Sequence, residues 1–124
     1  MKKVRLTAVL FFFVFAASAQ EKMEEIMRET TPEQRAAMQT SYMKESLALT
    51  DDQALKVQDI NLKYAHKMQH AYNSPARKFQ KLKRMKNFSQ QKDDEMKRLL
   101  SKEQYETYEK NRDAMRESAK TKKN

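Results

Sequence analysis

Not one of the 124 residues is glycine. Any backbone position that needs a left-handed or strained turn must use another residue or be avoided. The omission removes the phosphate-cradling loop, the dinucleotide-binding turn, the nucleophile elbow and the glycine-dependent tight hairpin together. Few β-branched residues and abundant Lys, Glu, Gln, Met and Ala favour helix over sheet. There is no Cys either, which excludes disulfides, thiolate metal sites and a Cys nucleophile. At this length one domain is the natural expectation. With 35% charged residues and a mean hydropathy of -1.03, that domain is rich in surface and thin in core.

The chain opens on the basic stretch Met1-Lys2-Lys3-Val4-Arg5, followed by an apolar run from Leu6 to Ala17 and the small-x-small sequence Ala17-Ser18-Ala19. This is the pattern of a secretory leader cleaved before Gln20. Twelve apolar residues rise only about 18 Å as a helix against a bilayer core of roughly 30 Å, too short for an anchor. No Cys follows to accept a lipid. Removing residues 1–19 takes away Lys2, Lys3 and Arg5, which lowers the formal net charge from +9 to +6. Export to the periplasm changes how that basic charge reads. Nucleic acid is scarce there and is not expected as a partner, whereas anionic envelope surface and unfolded polypeptide are plentiful. No stable membrane anchor is expected after cleavage.

Helix starts punctuate the rest. Thr31-Pro32-Glu33-Gln34, Thr50-Asp51-Asp52-Gln53 and Ser101-Lys102-Glu103-Gln104 each combine a hydroxyl cap with a Gln three residues on, the capping-box arrangement. Ser74-Pro75 predicts a further start and Ser89 a weaker one. Ala36, Thr40, Met43 and Leu47 share one helical stripe; Val57, Ile60, Tyr64, Met68 and Ala71 share another. Phe79, Leu82, Met85 and Phe88 are spaced by three and drift around a straight helix, which predicts a break near Asn87-Phe88-Ser89. The expected helices are 32–48, 51–73, 76–87, 90–99 and 102–118. The chain thus divides into a leader (1–19), a lead segment (20–30), a helical domain (31–118) and a charged tail (119–124). The scarcity of large aliphatics predicts an oligomer, most simply a homodimer.

Leu49-Thr50-Asp51-Asp52-Gln53 and Leu100-Ser101-Lys102-Glu103-Gln104 are two copies of L-[TS]-x-x-Q. Average residue usage makes one chance copy about a one-in-twenty event, so two are not accidental. On these residues the chain resembles the LTxxQ family of small periplasmic helical proteins, the Spy/CpxP type, over about residues 31–118. The second copy carries Ser for Thr and keeps the hydroxyl. The resemblance implies an all-α helical hairpin that dimerises into a curved cradle. It also implies an envelope-stress role, either as an ATP-independent chaperone for unfolded or misfolded envelope proteins or as an adaptor of a membrane stress sensor. As chemistry, Leu49, Thr50, Gln53, Leu100, Ser101 and Gln104 read as helix caps.

Partner-binding candidates lie elsewhere. No acid occurs from Ile60 to Lys92, whereas nine basic residues do; such a stretch attracts acidic partners. Lys81, Arg84 and Lys86 are its centre, with Met85 among them as an adaptable apolar contact. Leu55 and Leu62, a heptad apart, offer a second apolar face on their helix. His66 and His70 stand at i, i+4, a spacing that can clamp a divalent metal. Lys63 and Lys67 flank the pair and oppose a cation, so a metal-binding protein is the alternative rather than the leading expectation. No cofactor is expected. With no Cys, both histidines on one helix and no long loop, an enzyme is not expected either.

Overall fold

Three of the expected capping boxes form with both halves in place. The computed structural model describes the backbone of residues 19–121 and the side chains of residues 24–114. At each box the hydroxyl accepts the N3 backbone N–H, and the N3 Gln accepts the cap's own N–H. The distances are 3.0 and 2.9 Å at Thr31, 3.0 and 3.0 Å at Thr50, and 3.1 and 2.9 Å at Ser101. From these starts run α2 (Pro32–Ser46), α3 (Asp51–Asn73) and α5 (Lys102–Thr121). They are joined by α1 (Ala19–Glu29) and α4 (Lys78–Leu99). The described residues are all-α, with no strand. The expected leader lies outside them except for Ala19.

Two expectations fail here. Ser74 ends α3 rather than starting a helix: its N–H and hydroxyl both donate to the Ala71 carbonyl, at 3.2 and 2.8 Å. Pro75 then sits in the turn, and α4 begins three residues later. No break occurs at Asn87-Phe88-Ser89 either; α4 is continuous. Its inward stripe runs Met85, Phe88, Lys92, Met96 and Leu99, all buried or half-buried. Spacings of 3, 4, 4 and 3 suit one straight helix. The polar Lys92 inside the stripe hides that periodicity from a hydrophobic count. In α1 no capping box announces the helix, but Ala, Gln, Glu, Lys and Met suffice by propensity.

Two compact units make up the chain. One spans Thr30–Glu109. The other contains, among the described residues, α1 and the part of α5 from Lys110 onward; Met27 is buried there. In the Thr30–Glu109 unit α2 packs on α3 and α3 on α4. Both pairs are antiparallel, as cross-helix contacts show: Arg35 with Gln69 and Lys44 with Asp51, then Tyr72 with Lys81 and Lys63 with Glu95. The core gathers Met43, Leu47, Leu49, Val57, Met96 and Leu100, with Ile60, Leu99, Tyr105 and Tyr108 against it. Methionine thus replaces much of the missing aliphatic volume.

Between α2 and α3 one position answers for the missing glycine. Ala48 has φ 50°, one residue past the Leu47 C-cap of α2. The Leu49 N–H reaches back to the Lys44 carbonyl at 3.2 Å. This closes a Schellman motif with alanine where glycine is favoured. Leu49, the next residue, is driven into the core.

Candidate functional site

The two L-[TS]-x-x-Q copies meet. Gln53 and Gln104, 51 residues apart, exchange amide hydrogen bonds: Gln53 Nε2 donates to Gln104 Oε1 at 2.8 Å, and Gln104 Nε2 donates to Gln53 Oε1 at 3.1 Å. Gln104 Nε2 also donates to the Leu47 carbonyl at 3.2 Å, beside the strained Ala48. Each Gln therefore caps its own helix and holds the other's cap. The leading residues, Leu49 and Leu100, are buried in the same cluster. Leu49, Thr50, Gln53, Leu100, Ser101 and Gln104 form a clasp joining the starts of α3 and α5. Sequence reasoning identified the caps but not their meeting. The available signal was Gln rather than Glu at N3: only the amide keeps donors to spare once its oxygen has capped the helix.

The candidate partner surface divides. Leu55 is 69% exposed and Leu62 half-buried. On the same helix, Lys56, Asp59, Ile60 and Lys63 form with Glu95 and Leu99 of α4 a shallow groove of about 350 Å³. At the groove Lys63 Nζ bridges both Glu95 oxygens, at 2.8 and 2.7 Å, and the Tyr64 hydroxyl donates to Glu95 Oε2. The hydrogen bond from Lys63, then that from Tyr64, holds the Glu95 carboxyl below its usual range. Burial, then the bond to Glu95, pushes the Tyr64 hydroxyl up to about 12.

Lys81, Arg84 and Lys86 lie elsewhere, on the first half of α4. Tyr72, over whose ring Lys81 sits at 5.7 Å, is about 25 Å of helix from Leu55. Met85 does not belong with them. It is buried, because it faces inward on the stripe that continues to Met96. The outward residue there is Phe79, 76% exposed. Lys92, also on the inward stripe, donates to Gln39 Oε1 at 2.9 Å, and burial pushes its ammonium down to about 8.

The histidines face α2 and solvent. His66 Nε2 lies 3.1 Å from Glu33 Oε2, and His70 is exposed one turn on. Among the described residues no group of three or more His, Asp or Glu side chains is placed to hold a metal ion.

A family model described as a domain of unknown function, DUF4890, matches residues 19–108. The match starts at the first residue of α1 and takes in the clasp, the groove and the α3–α4 turn. No curated protein and no solved structure matches the chain.

Proposed function

The chain belongs to the DUF4890 family, and we propose that it is an exported, ATP-independent binder of unfolded envelope proteins. The observation that carries this reading is the exposed Leu55 on the helix that also lines a groove with Ile60, opposite Leu99 of α4. Exposed apolar side chains suit the apolar part of an unfolded segment, and the cations at the start of α4 suit its acidic part. The clasp residues are engaged with one another, which supports a structural part for the motif and leaves binding to the helix faces. The leader pattern supports a periplasmic site of action, and the motif resemblance supports a homodimeric cradle. Lys81, Arg84 and Lys86 lie apart from the groove and act by attracting acidic clients before contact.

The test is light scattering of a denatured model client with the purified protein, with and without EDTA. The protein should suppress aggregation, and EDTA should change nothing. Leu55→Ser should weaken protection severalfold at an unchanged melting temperature. Absence of protection by the folded protein would overturn the chaperone reading and leave the stress-sensor adaptor in its place. Protection that EDTA abolishes, together with His66→Ala, would establish the metal-binding alternative. Intact mass of the exported protein should correspond to a chain starting at Gln20.

A further inference from the structure

The start of α4 carries more than the client-attracting cations Lys81, Arg84 and Lys86. Arg77, Lys78, Lys81, Lys83, Arg84 and Lys86 place six cations within ten residues. Among the described residues none of the six lies within ion-pair distance of a carboxylate. The outward stripe of the same helix reads Phe79, Leu82, Lys83 and Lys86, at i, i+3, i+4 and i+7. Phe79 is 76% and Leu82 42% exposed. An aromatic ring and a leucine thus project from the first turns, with Lys83 and Lys86 on the same line.

We propose that this tip of the α3–α4 hairpin docks reversibly on an anionic phospholipid bilayer, with Phe79 and Leu82 seated among the headgroups and Lys83 and Lys86 on the phosphates. Charge complementarity selects the occupant: Lys83 and Lys86, on the line of the exposed ring and without an ion pair among the described residues, match a continuous anionic plane, and the other four cations add to the attraction at longer range. A folded protein partner would need a walled pocket to desolvate the Phe79 ring, whereas the groove of this hairpin lies toward its other end. A lipid interface needs no pocket, only apolar side chains buried about 5–10 Å into the boundary between headgroups and acyl chains. The lysine stems can lie along that apolar layer while their ammonium groups stay at the phosphates. No helix among the described residues is long and apolar enough to cross a membrane, so the attachment is peripheral. Client retention at the groove rests on Leu55 and lipid docking at the tip on Phe79 and Leu82; the tip cations attract acidic clients and anionic lipid alike, so the two readings part at Leu55 and Phe79.

The experiment is vesicle co-sedimentation of the full protein, its processing state fixed by intact mass. Vesicles of about one-third phosphatidylglycerol in phosphatidylcholine are compared with phosphatidylcholine alone at about 0.1 M and about 0.5 M salt. Binding should be at least about tenfold tighter to the anionic vesicles and weaken at high salt. Lys83→Gln with Lys86→Gln should weaken it about 25-fold, about fivefold per charge. Phe79→Ser should weaken it about tenfold at an unchanged melting temperature, because the ring is exposed. Protection of a denatured client without lipid should be unaffected by Phe79→Ser. Equal binding to neutral and anionic vesicles would overturn the proposal, as would binding indifferent to these substitutions; a retained leader would give that second result. Loss of client protection in Phe79→Ser with vesicle binding unchanged would assign the tip to polypeptide instead.

Discussion

Ala48 and the Gln53–Gln104 pair carry the chain through the turn between α2 and α3. A left-handed alanine costs roughly 1–2 kcal/mol relative to its preferred region, and the bonds of the Schellman motif offset that cost. Ala48→Gly relieves the strain but adds freedom to the unfolded chain, so a net gain of about 0.5–1 kcal/mol is expected, read as a higher urea midpoint. A loss would mean that the alanine methyl makes a contact worth more than the strain. Thr50→Ala and Ser101→Ala should each cost about 1 kcal/mol, the usual worth of a cap. Gln53→Ala and Gln104→Ala each remove a cap and a cross-helix bond together. Their double variant should fall short of the summed losses by about 1 kcal/mol. Strict additivity in that cycle would show that the amide pair contributes nothing.

Among the helices, α4 is the one between capped neighbours that starts without a cap. Arg77 holds the N-cap position at φ -63° and ψ 152° but makes no side-chain cap bond, and no acid lies in the first turn. Gln80 already stands at N3. Arg77→Thr would supply the missing half of a capping box and should stabilise the fold by about 1 kcal/mol, seen as a rise of several degrees in melting temperature. No rise would indicate that Gln80 cannot reach back at this start. The contrast explains what the sequence makes legible. Starts at residues 31, 50 and 101 could be read because caps are local chemistry, written within four residues. The stop at Ser74 and the continuity of α4 could not, because they depend on what packs opposite. Phe79 looks like core by type yet points outward. Lys92 looks like surface by type yet lies on the inward stripe, its nitrogen bonded to Gln39.

For the Thr30–Glu109 unit as a whole, three shifted groups shape stability against pH. Glu95, held low mainly by Lys63, contributes stability above the ordinary carboxylate range that is lost as pH falls through its lowered value. Lys92 titrates near 8 in the folded chain against 10.5 unfolded. Between those values the unfolded chain binds the extra proton, so stability rises with pH. Tyr64 acts in the opposite sense: its contribution is complete below 10 and lost toward about 12. The urea midpoint should therefore climb from about pH 8 to about pH 10 and fall beyond, and Lys92→Gln should flatten the climb. A climb that persists in Lys92→Gln would assign it to another group. The clasp, finally, gives the unit a direction of opening. At one end the start of α3 is tied to the start of α5 by Gln53 and Gln104; at the other the α3–α4 turn is closed by the Ser74 cap and the ring of Tyr72 under Lys81. Small fluctuations can part the second end while the first stays shut. Amide protons near Ser74 and Phe79 should then exchange with solvent through local fraying, and those beside Val57 and Met96 only when the amide pair separates, which hydrogen exchange would read directly. A hairpin slow at its root and quick at its tip is the expected result, and a tip that breathes can settle its ring into a surface that is itself fluid.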